Sequence, residues 1–90
     1  MKSSRVIVQW RDGLHLRRAA RLVQLGQKFR SRILLKCGEN TADLRSILSV
    51  IALCATMGTS LLIEATGDDE RDAADAVEQM FSINDSDGAL

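Results

Sequence analysis

His15 is the only histidine in the sequence, and it stands where a turn gives way to a helix. Asp12-Gly13 is typical of a turn, and an apolar pattern of helical period begins at Leu16. The first turn of a helix carries backbone N–H groups without intrahelical partners and the positive end of the helix dipole. Such a position suits an anion. A neutral imidazole placed there could attack phosphorus and become a phosphohistidine.

Arg17 and Arg18 follow His15 closely and bring two positive charges into the same first turn. We expect both to contact phosphoryl oxygens through charge-assisted hydrogen bonds. No serine, cysteine or second histidine lies nearby in sequence to complete a hydrolytic triad. The spacing of Cys37 and Cys54 is not that of metal ligands. We therefore expect a phosphoryl carrier without cofactor or metal, and not a self-contained enzyme.

The composition predicts one small domain without a membrane segment. The chain has 90 residues, of which 46% are hydrophobic, and a formal net charge of zero. No apolar run approaches the roughly 18 residues of a membrane span, and the N-terminus does not resemble a secretory signal. Two separated cysteines are most simply explained by a reduced, cytoplasmic setting.

The charges are unevenly distributed along the chain. Residues 1–45 contain 11 Lys and Arg against three acids, whereas residues 46–90 contain one Arg against nine acids. This division predicts a basic face that attracts an acidic partner. A stripe of basic residues leaves a nucleic-acid-binding module as a remote alternative, but aromatic residues that stack bases are scarce. We expect no nucleic-acid partner.

The periodicity predicts strands over 5–10, 32–37, 41–43 and 60–65. It predicts helices over 16–27 and 47–53, and a last helix that follows the turn at 67–70 and ends at about 81. The implied fold is α+β: a four-stranded antiparallel sheet covered on one face by three helices, in the order βαββαβα. We assign residues 1–82 to one domain and 83–90 to a frayed tail. The side of the first helix predicted to be buried comprises Leu16, Ala19, Ala20, Val23 and Gly26. Its exposed polar side comprises Arg17, Arg21, Gln24 and Lys28.

The second helix is short and apolar on nearly all sides. Some of Ile47, Leu48 and Ile51 should therefore reach the surface, and an exposed apolar patch on a small domain often binds a partner. Ser46 is predicted to be the N-cap of this helix. A phosphate on a serine at that position would be stabilised by the helix dipole.

Four stretches together resemble the HPr family, the histidine-containing phosphocarriers of the bacterial sugar phosphotransferase system. They are Gly13-Leu14-His15-Leu16-Arg17, Leu44-Arg45-Ser46-Ile47, Gly58 and Gly67-Asp68-Asp69-Glu70. The similarity covers about residues 4–82. It implies an open-faced β-sandwich, whose elements follow the order expected above.

The resemblance also implies roles for individual residues. His15 would accept a phosphoryl group from phosphoenolpyruvate-charged Enzyme I and donate it to Enzyme IIA domains, with Arg17 contacting the phosphoryl group. Ser46 would match the serine that HPr kinase/phosphorylase modifies in some lineages. We expect a monomer. The family's partner-docking positions correspond to Arg21, Gln24, Ile47, Leu48 and Ile51.

Three residues depart from the family's pattern. Arg18 replaces the proline that usually follows the active arginine, and proline would pre-set the backbone of the first turn. Cys54 replaces a common glycine after the second helix, where the chain tends to be left-handed. Trp10 is bulky beside the active turn. These departures favour as an alternative a regulatory HPr-like protein that acts through Ser46 and partner binding rather than in sugar transport.

Overall fold

A computed structural model describes residues 1–83 of the chain. All seven predicted elements are present and follow the predicted order. They are β1 (Lys2–Ile7), α1 (Leu16–Gly26), β2 (Arg32–Cys37), β3 (Asn40–Asp43), α2 (Ile47–Ala52), β4 (Ser60–Thr66) and α3 (Glu70–Phe81). Apart from Ile83, the tail predicted over 83–90 lies outside the described residues.

The four strands form one antiparallel sheet in the order β1-β4-β2-β3. The central strand β4 pairs with β1 and β2, so that Ile63 lies between Ser4 and Leu35. Alternate residues of β4, Leu61, Ile63 and Ala65, are fully buried, as the period of two predicts. The three helices pack on this buried face, which confirms the predicted α+β architecture.

The first strand lies three residues closer to the N-terminus than predicted, although its faces are correct. It ends at Ile7 and not at Trp10, because its partner β4 begins at Ser60, opposite Ile7. Val8 and Trp10 nevertheless remain 1% exposed, on the same side as Val6. The alternation therefore reports burial beyond the point where strand pairing stops.

Helix α1 buries Ala19, Leu22, Val23 and Gly26 and packs against α2 and α3. The prediction that Leu16 belongs to this stripe is wrong, since its side chain is 57% exposed. Leu14, which precedes the helix, is only 4% exposed and fills the core at that end. Helical periodicity cannot identify a core residue that lies before the helix begins.

Asp69 connects the loop after α1 to the start of α3. Its carboxylate accepts hydrogen bonds from the backbone N–H groups of Arg30 and Ser31, each at 2.9 Å, and from the Ser31 hydroxyl. The Ser31 hydroxyl and then the Arg30 N–H are the main reasons why the pKa of Asp69 lies below its ordinary value of 3.8. The carboxylate therefore accepts these hydrogen bonds most strongly when it is ionised.

We predict that Asp69→Asn lowers the melting temperature at pH 7, because the neutral amide accepts these bonds more weakly. Because the pKa of Asp69 is lowered in the folded state, the ionised carboxylate stabilises the fold at pH values above the unfolded-state pKa. This stabilisation is lost as the pH falls through the folded-state pKa. The melting temperatures of the parent and the variant should therefore converge as the pH falls below 3.8. Thermal unfolding across pH, with the exposed Asp75→Asn as control, tests this, and a gap of constant size would contradict it.

Candidate functional site

The turn before α1 is fixed against the segment that follows α2. Gly13 has a φ of +71°, and its N–H donates to the carbonyl of Trp10 at 2.9 Å. The next N–H, that of Leu14, donates to the carbonyl of Ala55 at 2.8 Å. A Cβ on Gly13 would lie 2.5 Å from that same carbonyl oxygen, so only glycine allows this close approach.

His15 is the N-cap residue of α1 and is exposed. Its backbone is extended, with φ −82° and ψ 170°, and its imidazole does not cap its own helix. The carbonyl of His15 accepts the bond from the Ala19 N–H at 2.8 Å. The N–H groups of Leu16 and Arg17 therefore precede the helical ladder and are turned towards the end where His15 lies.

The two arginines of the first turn are placed differently. Arg17 is exposed beside His15, as expected of a group that contacts an anion. Arg18 is half-buried, with its Cζ atom 4.7 Å from the ring centroid of Trp10. The guanidinium thus lies over the indole, and the role of Arg18 as an anion contact stays a prediction.

The predicted docking residues come together because α1 packs against α2. Arg21 and Gln24 are exposed on α1, and Leu48 on α2 is 76% exposed. Ile47 and Ile51 are half-buried and pack against the core. We call these five residues the docking face.

Two exposed apolar residues near the turn before α1 were not predicted. Leu16, at the start of α1, is 57% exposed, and Met57 is 62% exposed. Met57 follows Thr56, whose Cα atom would lie 3.0 Å from a Cβ on Gly13. The position of Met57 in a turn between Cys54 and Gly58 is visible in the sequence and could have indicated that its side chain is exposed.

The N-cap role predicted for Ser46 is confirmed. Its hydroxyl oxygen accepts a hydrogen bond from the backbone N–H of Ser49 at 3.3 Å, and the side chain is half-buried. The expected left-handed position at the end of this helix also appears, because Cys54 has a φ of +51°. Its thiol is free and the residue is exposed.

Residues 1–83 contain neither a cluster of metal ligands nor a membrane-spanning helix. This part of the chain contains no cluster of three or more His, Cys, Asp and Glu residues arranged to hold a metal ion. Within the same range, no helix combines the length and the apolar character needed to cross a membrane.

Comparison with known proteins identifies the family. A family model described as the PTS HPr component phosphorylation site matches residues 2–82. The chain belongs to the HPr family. The phosphocarrier protein HPr of Xylella fastidiosa is 35% identical over 81 residues, which are 90% of this chain and 91% of that relative. The predicted membership in a family of phosphotransferase-system phosphocarriers is therefore confirmed.

Solved HPr structures have the same fold. HPr of Thermoanaerobacter tengcongensis superimposes with a TM-score of 0.89 and 30% identity, covering 98% of this chain and 97% of that chain. The catabolite repression protein Crh of Bacillus subtilis, a swapped-domain dimer, gives a TM-score of 0.74 and 28% identity, covering 91% and 94% of the two chains. The βαββαβα arrangement is thus that of the HPr fold.

We predict that Gly13→Ala disturbs the active turn much more than Gly38→Ala does. Gly38 has a similar φ of +60°, but a Cβ there would meet no atom within 4 Å. Gly38→Ala should therefore lower the free energy of unfolding by about 1 kcal/mol, through conformational strain alone. Gly13→Ala adds the clash with the Ala55 carbonyl and should lower the free energy of unfolding by roughly 3 kcal/mol. Denaturant unfolding measures both, and equal losses would contradict the close approach described here.

Proposed function

We propose that the chain is a phosphoryl carrier in which His15 accepts the phosphoryl group from phosphoenolpyruvate-charged Enzyme I and donates it to Enzyme IIA-type acceptors. The observation that carries this proposal is the exposed imidazole of His15 at the N-cap of α1. Membership in the HPr family supports the same role. The carrier returns to its starting state after each transfer and is not itself an enzyme.

The transfer requires only one nucleophile. A lone pair on a ring nitrogen of His15 attacks phosphorus, and the bond between phosphorus and the donor breaks with its electron pair leaving on the donor. The N–P bond so formed is broken in turn when an acceptor nucleophile attacks. Between the two steps, the N–H groups of Leu16 and Arg17 and the Arg17 guanidinium hold the phosphoryl oxygens.

The docking face explains how partners reach His15. Leu48 supplies apolar area to bury, whereas Arg21 and Gln24 supply polar contacts at its margin. Arg17 and Arg21 are exposed on α1 and attract acidic partner surfaces towards this side of the molecule. We further propose that the chain works in the cytoplasm as a monomeric domain over residues 1–82, without a cofactor.

We predict that incubation with phosphoenolpyruvate and a cognate Enzyme I labels the parent chain with an acid-labile, base-stable phosphate. His15→Ala should abolish the label because the nucleophile is gone. Arg17→Gln should retain it but slow the transfer roughly 10- to 100-fold, since one charge-assisted contact is lost. Quenched-flow labelling measures both rates. A competent Enzyme I that labels the parent and His15→Ala equally, or neither, would contradict the proposal.

A second prediction concerns the docking face. Leu48→Asp should raise the KM for Enzyme I roughly tenfold or more, because a buried leucine contributes about 1.5–3 kcal/mol to such a contact. Ile7→Asp is the matched control, since Ile7 is 55% exposed on β1 and is not part of the docking face. The control should leave KM unchanged. Equal effects of the two variants would exclude the docking face as the contact surface.

Regulation through Ser46 is the second candidate function. It is favoured by the position of Ser46 at the start of α2, directly before the docking residues Ile47 and Leu48, and by the similarity to Crh. Incubation with ATP and HPr kinase/phosphorylase separates it from the carrier role. An acid-stable phosphate that is lost in Ser46→Ala, together with no label on His15 from Enzyme I, would favour regulation over phosphoryl transfer.

A further inference from the structure

Trp10 connects the first turn of α1 to the end of α3. The indole is 1% exposed and stacks on Phe81, with ring centroids 4.9 Å apart and an interplanar angle of 18°. Its Nε1–H donates to the backbone carbonyl of Ile83. The Arg18 guanidinium lies 4.7 Å from the centroid of the same ring system. A residue of the first turn is therefore held on a ring that is itself fixed by α3.

The contact has the geometry of a cation–π interaction. Tryptophan is the most favourable ring for such a contact and arginine the more frequent cation, and the interaction strengthens when the pair is partly removed from water. Trp10 is fixed by both packing and a hydrogen bond, so it does not move to meet the arginine. The contact consequently restrains Arg18, and Arg18 is the third residue of α1.

We propose that Trp10 and Arg18 are positioning residues that keep the first turn of α1 closed beneath His15. The proposal rests on the carrier function of His15 and names what holds that residue in place. The closed turn is marked by the 2.8 Å hydrogen bond from the Ala19 N–H to the His15 carbonyl. When this bond opens, His15 and the N–H groups of Leu16 and Arg17 lose their fixed relation, and transfer from a correctly placed donor slows.

The exchange of the Ala19 amide hydrogen with solvent measures the opening of the turn directly. Arg18→Gln should speed this exchange about two- to fivefold, since it removes the cation from the indole face. Arg18→Lys retains a cation and should recover most of the protection. The amide of Ile63, in the central strand, is the internal control and should not change. Equal acceleration at Ala19 and Ile63 would indicate a general loss of stability and would overturn the proposal.

A double-mutant cycle in the transfer assay distinguishes positioning from direct anion contact. Arg18→Gln should lower kcat for phosphorylation of His15 about two- to fivefold and leave the KM for Enzyme I unchanged. In the Trp10→Met background, the same substitution should have a smaller effect on kcat, because the ring under the Arg18 guanidinium is absent. If Arg18→Gln lowers kcat equally in both backgrounds, Arg18 acts on the phosphoryl group itself and the proposal is wrong.

Two features keep the test decisive. If Trp10→Met fails to fold, the exchange rates of the Ala19 amide in Arg18→Gln and Arg18→Lys still test the proposal. The fluorescence of the single tryptophan then reports the loss of the contact with Arg18. Exchange at Ala19 is measured on the unphosphorylated chain. Failure of Enzyme I to label His15 would therefore refute the carrier function without hiding the outcome for Trp10 and Arg18.

Discussion

The close approach of Gly13 to the Ala55 carbonyl is the constraint on which the functional surface depends. It brings the turn before α1 against the segment after α2, so two regions about forty residues apart in sequence share one surface. The positive φ of Gly13 lets the Leu14 N–H bond to that carbonyl at 2.8 Å. Leu14 then turns into the core and His15 is left at the surface, where α1 begins.

The proposed chemistry follows from this placement. A helix that begins at an exposed histidine presents N–H groups and a positive dipole end to whatever that histidine carries. Arg17 adds a full charge at the same point, and the exposed apolar side chain of Leu48 lies on α2, which packs against α1. In the proposed carrier role, these donors would stabilise a phosphoryl group on the exposed His15 without enclosing it, so that an acceptor could reach it.

The sequence predicted the architecture well because the deciding patterns are local. Alternation located β2 at its observed bounds and the buried face of β4, and the N-cap role of Ser46 followed from one residue type before an apolar run. The errors lie where distant parts of the chain meet. Leu16 was expected inside, but Leu14 occupies the core at that end of the helix.

The placement of Arg18 also depends on distant contacts. Its position over Trp10 arises because Phe81 and Ile83 fix the indole from the far end of the chain. No local pattern contains that information. The exposure of His15 and Arg17, by contrast, follows from a turn glycine and from helical spacing, which are both visible in the sequence.

The central claim is that the first turn of α1 holds a phosphoryl group on His15. Backbone amide chemical shifts, measured by two-dimensional ¹H–¹⁵N NMR before and after phosphorylation by Enzyme I, test it most directly. The largest changes should occur at the amides of Leu16 and Arg17, with little change at Ile63 in the sheet. If the first-turn amides of the phosphorylated chain do not shift, this turn does not hold the phosphoryl group.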